Sequence, residues 1–290
     1  MNPFRRTFSF NAGFPFEYVY RDIKSAQHEL PEHVHDWYEL VYIYKGQGTF
    51  FIDHSFYDAE AGDIFLIPGN TIHRSFPVED NPKQATAFYF SASFVHDTST
   101  GEGEAFPYLQ PFEVAKQKQA FRLTISERYQ QQIVLLIEQI HTEYTEQRAG
   151  YRQAIRMHVQ HILLLLNRHA EETWGKQKQR RSPAVLPHWL EQSLTYIDAN
   201  LKEELNLAAL ASRAAISPAH YSRIFKRLTG MNVTDYVTAK RIMQAKDWLK
   251  QLDEPIANIA EECGFGSITH FHRKFKELTG ITPAQYRKSL

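Results

Sequence analysis

Apolar positions change their rhythm along this chain. Up to about Ala92 they come in short β-branched and aromatic runs, among them Tyr38–Tyr44 (YELVYIY), Thr49–Ile52 and Ile64–Ile67, separated by Gly, Asp and Pro. Such runs between turn residues predict closely spaced strands of a small β-sandwich or barrel. Residues His96–Glu104 (HDTSTGEGE) have no apolar period and read as a polar loop. Further on the period becomes helical. Ile133, Leu136, Ile137, Ile140 and Tyr144 form one stripe; beyond Gly150, Ile155, Val159, Ile162, Leu163 and Leu166 form a second. Thr124 and Glu127 stand at capping-box spacing ahead of the first helix. Two such helices can bury one stripe on the barrel and leave the other for a partner subunit, or bury both internally. Gly175–Pro187 (GKQKQRRSPAVLP) is polar and basic and reads as a linker. The pattern after it is helical throughout.

The length of 290 residues supports two domains at roughly 150 residues each. We divide the chain into 1–175, a linker at 176–187, and 188–290. The single cysteine, Cys263, excludes an intramolecular disulfide framework and fits a reducing compartment. No apolar run of signal-peptide length follows Arg5 and Arg6, and the longest aliphatic block is Ile162–Leu166. The expectation is a cytoplasmic protein without a membrane partner. The formal net charge of zero conceals an asymmetry, because Ser182–Leu290 carries 14 Lys+Arg against 11 Asp+Glu. That excess is too small to argue for nucleic acid by itself.

The pattern of the tail argues more strongly. Tyr221–Gly230 (YSRIFKRLTG) matches Phe271–Gly280 (FHRKFKELTG) at an offset of 50, while Leu210-Ala211 matches Ile259-Ala260 at 49. The extra residue falls in the turn, Ala215-Ile216 in one copy against Gly264-Phe265-Gly266 in the other. Each copy therefore reads as a short helix, a tight turn and a second helix, the arrangement that places its second helix in the DNA major groove. Ser217 and Ser267 are N-cap residues for the second helices, and Gly230 and Gly280 stand where those helices end. Val233–Leu252, without Gly or Pro, joins the copies as a helix about 30 Å long at 1.5 Å per residue. That is close to one turn of B-DNA, so both reading helices can enter successive major-groove segments.

These residues resemble the AraC/XylS family of transcription regulators. The resemblance covers about Trp189–Leu290 and is densest at Ile259-Ala260, Gly264-Phe265, Phe271, Phe275-Lys276, Gly280, Pro283 and Tyr286-Arg287. It implies double-stranded DNA as partner, with base-contacting positions at Ala219, Ser222 and Arg223 and at Ile268, Thr269 and Arg273. Spacing adds Lys226, Arg227, His272 and Lys276 to the polar faces. Lys226, Arg227 and Lys276 are placed for phosphates, while arginine can bind guanine through two hydrogen bonds. Ala219 and Ile268 can read only by apolar contact, for example with a thymine methyl.

In the first half, His33-x-His35-x-x-x-Glu39 with Gly46, and Gly62…Pro68-Gly69…His73, resemble the two cupin motifs. The match departs from the motif at Gln27, where glycine is usual, at Pro77, where asparagine is usual, and in a glycine one residue early. In metal cupins three such His and the Glu converge on one ion. Regulators of this family instead use a cupin-like barrel for a small effector, commonly a sugar. His33, His35, Trp37, Glu39 and His73 are the candidate effector residues. A divalent metal on His33, His35, Glu39 and His73, an organic effector without metal, and purely structural histidines all stay open.

The fold expected is α+β, with an N-terminal cupin-like β-barrel and helical pair, then an all-α domain carrying two helix-turn-helix motifs. The function expected is a sequence-specific DNA-binding transcription regulator, an activator, controlled by a sugar-like effector. It is not expected to be an enzyme or to require a cofactor. RNA polymerase and a second copy of the chain are expected partners, the second giving a homodimer. The alternative is a metal-dependent cupin enzyme fused to a DNA-binding domain.

Overall fold

The computed structural model describes residues 4–5, 13–23, 33–95, 107–173 and 187–288, with backbone alone at 4–5, 33–34 and 171–173. Ten strands form two five-stranded sheets among these residues. One sheet runs in the order β1 (Phe4–Arg5), β3 (His33–Val34), β8 (His73–Pro77), β5 (Gly48–Ile52), β6 (Ser55–Ala59). The other runs β10 (Arg122–Thr124), β7 (Asp63–Ile67), β4 (Tyr38–Lys45), β9 (Gln84–Phe90), β2 (Phe16–Ile23). The barrel expected from short, closely spaced runs is present in this two-sheet form.

The run YELVYIY is apolar at both parities because its strand is covered on both faces. Glu39 lies opposite Ile67 and Tyr89, and its carboxylate meets His73 of the other sheet, so the Glu39 parity faces the barrel interior. The other parity carries Leu40, paired with Phe88, which in turn pairs with Tyr18. That outer row packs against α3 (Glu127–Glu146), where Tyr18 lies edge-on to Tyr144 with ring centroids 4.7 Å apart. Leu40, Val41, Tyr42 and Ile43 are consequently all buried.

After β9 come α1 (Ala92–Val95) and α2 (Gln110–Lys118), then α3 and α4 (Tyr151–Thr173) as an antiparallel hairpin. Gly150 has φ +84°, a left-handed conformation that ends the connection where expected. The capping box is not formed. Ser126, not Thr124, occupies the N-cap of α3 and makes no side-chain cap bond. Thr124 belongs instead to β10, where its hydroxyl donates to Asp63 Oδ1 at 3.2 Å, because sheet pairing claims the residue first. Both apolar stripes of the hairpin enter the barrel's core, which leaves Leu135 and Met157 as its exposed large apolar residues. The polar loop at 96–104 and the linker up to residue 186 lie outside the described residues, as does Gln27. Among the described residues no helix is long and apolar enough to cross a membrane.

The C-terminal domain comprises α5 (His188–Ala199), α6 (Leu207–Arg213), α7 (Pro218–Thr229), α8 (Val233–Gln251), α9 (Ile256–Glu262), α10 (Ile268–Thr279) and α11 (Pro283–Lys288). Here α6–α7 and α9–α10 are the two helix-turn-helix copies and α8 joins them. Ser217 accepts from the His220 amide at 3.3 Å and Ser267 from the His270 amide at 3.4 Å, so both predicted N-caps form. Gly230 and Gly280 take left-handed C-cap conformations at φ +83° and +81°. The one-residue shift between copies is Gly266, inserted between Phe265 and the Ser267 cap.

The turns also show a difference that spacing alone conceals. The left-handed position is Gly264 in copy two, φ +84°, but Ala215 in copy one, φ +55°. A Cβ on Gly264 would lie 2.3 Å from the Leu201 carbonyl oxygen, so glycine is required there sterically as well as conformationally.

The two domains are packed on each other. Phe51, Phe56 and Ile72 on the outside of the first sheet are buried in the same apolar cluster as Tyr236 and Ile242 of α8. This face explains why α8 lacks a continuous polar stripe: helix-turn-helix units cover part of it and the barrel covers more.

Candidate nucleic-acid interface and ligand site

The reading helices separate buried and exposed sides as their spacing demands. Tyr221, Ile224, Phe225 and Leu228 of α7, with Phe271, Phe275 and Leu278 of α10, are buried in the domain core. Ala219, Arg223, Lys226 and Arg227 are exposed, and Ser222 is half-buried. On α10, Ile268, Thr269, His272, Arg273 and Lys276 are exposed. Packing against the barrel leaves both candidate reading faces open to solvent. The Arg223 guanidinium donates to His220 Nδ1 at 3.2 Å, one turn earlier on the same helix. The candidate contact set of each copy thus shares one face of one helix.

In the barrel, the two sheets bring His35, Glu39 and His73 together. They are 3%, 6% and 3% exposed, so the cluster lies inside the protein. Glu39 Oε2 lies 3.1 Å from His35 Nε2 and 2.9 Å from His73 Nε2. Each ring's other nitrogen faces a backbone carbonyl: His35 Nδ1 to Trp37 O at 2.9 Å, and His73 Nδ1 to Thr71 O at 2.9 Å. Tyr89 stands edge-on to the His35 ring at 5.8 Å. Burial works to raise the Glu39 carboxyl, but the two imidazoles outweigh it and hold the group well below the usual range. His35 is lowered, chiefly by burial. Trp37 is half-buried beside this cluster. His33 pairs with His73 in the strand register, but its side chain lies outside the described residues.

The loops bearing these histidines also hold the C-terminal domain. Asn70 donates its amide to the His35 carbonyl at 2.7 Å. A Cβ on Gly69 would lie 2.4 Å from the Asp36 carbonyl oxygen, so the two loops are in direct backbone contact. Asp36 and Asn70 together bind the ammonium of Lys246 on α8, a lysine only 3% exposed. A second clamp lies at the β5–β6 turn. Lys240 of α8 bridges Asp53 and Asp198, at 2.7 Å from the latter, and His54 Nδ1 meets Asp198 at 2.8 Å and Asp53 at 3.2 Å. The Tyr236 hydroxyl donates to the Asp53 carbonyl at 2.8 Å.

Charge balances within this second cluster. Burial alone would lower His54, but Asp198 and Asp53 raise it to about 9. Burial alone would raise Asp53, but Lys240 and His54 hold it far below the usual carboxylate range.

The AraC-like ligand binding domain matches residues 18–163, and a helix-turn-helix domain matches residues 210–289. The chain belongs to the AraC family of transcription regulators. Among its relatives, the HTH-type transcriptional activator RhaS of Pectobacterium carotovorum is 24% identical over 273 residues, covering 91% of this chain and 90% of that protein. The regulatory protein PocR of Salmonella typhimurium is 32% identical over 113 residues, which are 39% of this chain and 37% of PocR. Among solved structures, the DNA-binding domain of AdpA in complex with a target DNA is 28% identical over 34% of this chain, with a TM-score of 0.33.

Within this AraC-family chain, sequence reasoning reached the triad and both reading faces but missed the clamp. The domains touch directly through barrel loops and α2, which contact α8. One signal was available. Lys240 and Lys246 fall at helical spacing among the apolar positions Tyr236, Val237, Ala239, Ile242 and Leu249 of α8, and lysine is rarely buried without a carboxylate partner.

Proposed function

We propose that this chain is an effector-controlled activator of transcription, in which α7 and α10 read DNA and the barrel senses a small ligand. The activator reading is supported by the relatives RhaS and RhaR, whose names describe transcriptional activators. The observation that carries the control is the seat of α8. This one helix joins both reading units, and its Lys246 is gripped by Asp36 and Asn70, which adjoin the His35 and His73 loops. A ligand that binds the open and docked arrangements unequally shifts the population between them, and hence how the reading helices meet DNA.

In its finer form this reading places a sugar-like effector against Trp37, with His35, Glu39 and His73 below it. A homodimer forms through the α3–α4 hairpin, where Leu135 and Met157 are 59% and 65% exposed. RNA polymerase is the partner of the DNA-bound state.

The test is DNA affinity of the full chain, measured by fluorescence anisotropy on sites selected from a random pool, with and without candidate ligands. An effector-controlled regulator shows at least one ligand that shifts the affinity severalfold. An affinity indifferent to every ligand that binds the barrel refutes control by the barrel.

A further inference from the structure

We propose that His220 is a positioning residue for sequence discrimination, holding the Arg223 guanidinium in the pose that reads a base; this role rests on the reading of Arg223 as a base contact.

The reading side of α7 carries few long groups. Ala219 ends at its methyl, and Ser222 is short and half-buried, so discrimination by the first copy falls largely on Arg223. An exposed arginine samples many rotamers, and fixing it against a base costs that freedom. Arg223 has part of this freedom removed in advance. Its Nη2 donates to His220 Nδ1 at 3.2 Å, from three residues further along the same helix face.

A guanidinium can only donate, so Nδ1 accepts, and the neutral ring carries its proton on Nε2. The bond uses one of the five N–H groups that every guanidinium has. Enough remain for the two bonds to guanine O6 and N7. The histidine therefore orients the arginine without competing for the base. His220 is itself backed. The Trp189 ring of α5 lies 6.4 Å from the imidazole and 4.9 Å from the ring of Tyr221, which is fully buried. A contact chain thus runs from the domain core to the reading arginine. On an exposed face the bond is weak in water, and it strengthens when DNA displaces that water.

The second copy repeats the residues but not the arrangement. His270 and Arg273 stand at the equivalent positions of α10. Copy two has Phe265 where copy one has Ile216, and the His270 ring lies edge-on to Phe265 at 5.8 Å. Among the described residues no hydrogen bond joins His270 to Arg273, which acts on the imidazole as a neighbouring positive charge. Restraint by histidine is accordingly a property of the first reader alone.

The experiment measures the full chain on a site selected from a random pool and on single-base variants of it, at fixed salt. Arg223→Ala identifies the base pair that Arg223 reads. His220→Leu keeps bulk without an acceptor and should lower discrimination at that same pair by about 3- to 10-fold. Its non-specific affinity and salt slope should equal those of wild type, and circular dichroism reports that the fold survives. His220→Gln restores an acceptor and should recover discrimination to within about twofold of wild type. In an Arg223→Ala background His220→Leu should add nothing, and His270→Leu should leave the base pair read by Arg273 untouched. Full discrimination in His220→Leu overturns the proposal. So does a loss at another base pair, a loss that persists without Arg223, or a failure of His220→Gln to restore. A loss at the Arg273 base pair in His270→Leu overturns the confinement to copy one. If Arg223→Ala relaxes no base pair at all, the reading of Arg223 as a base contact fails, and the role of His220 falls with it.

Discussion

Lys246 of α8 rests on Asp36, 210 positions earlier in the chain and next to His35. The contact is asymmetric, since the lysine side chain is 4% exposed and the aspartate 37%. Loss of the carboxylate takes this anion from a buried ammonium, whereas loss of the ammonium leaves a carboxylate that water can reach. Removing the partner so that the more buried charge is left behind costs roughly 3–5 kcal/mol, and leaving the exposed charge behind costs much less. Asp36→Ala should therefore lower Tm well beyond Lys246→Met. Equal losses, or the reverse order, would show that burial does not govern this clamp.

Both substitutions should also loosen control. Once α8 is released, DNA affinity in the absence of ligand should approach the ligand-bound value, measured by anisotropy on the same site. A variant that keeps the full ligand response would remove this contact from the signalling route.

The His54 cluster gives a pH dependence of defined sign. Its pKa is raised from 6.5 to about 9 in the folded chain. A raised cationic group contributes stability that is fully present below about pH 6.5 and is lost as pH rises through about 9. The effect is on the order of 2 kcal/mol. Comparison of Tm for wild type and His54→Gln between pH 6 and 10 should show a gap that closes with rising pH. Parallel curves would count against the network.

The turn residues make a paired test. Ala215 has φ +55°, which costs a residue with Cβ about 1 kcal/mol, so Ala215→Gly should be neutral or stabilising by up to that amount. Gly264→Ala meets both φ +84° and the Leu201 carbonyl oxygen, and should destabilise by about 2 kcal/mol or more. Urea midpoints at unchanged m-value are the readout.

On DNA, Arg223→Ala and Arg273→Ala should each relax preference at one base pair by about 1–3 kcal/mol, seen by selection from a random pool. Lys276→Ala should instead weaken all sites and reduce the salt slope by about one ion. An unchanged selection profile in the arginine variants would withdraw them from base reading. Because Ala219 and Ser222 of the first copy correspond to Thr269 and His272 of the second, the selected site should be asymmetric within one chain.

Much of this architecture was legible in local pattern. The 50-residue repeat, its serine caps and its glycine ends depend on neighbours a few positions apart, and all of them form as read. The strands were equally visible, because runs of β-branched and aromatic residues between turns have few alternatives. The capping box failed for a physical reason: Thr124 had two possible partners, and the distant Asp63 outcompeted the nearby helix end.

By itself, then, the amino-acid sequence determined where chain elements begin and end, which faces are apolar, and which residue types could read DNA or hold a ligand. Short-range geometry settles such matters. Only the tertiary structure decided that Glu39 meets the imidazoles of His35 and His73, that Ala215 carries the strain its counterpart Gly264 avoids, and that Lys240 and Lys246 are buried against the barrel. Those outcomes depend on contacts between segments up to some two hundred residues apart. A local pattern carries no record of such partners, because burial, charge pairing and register are settled only when the two domains close on each other.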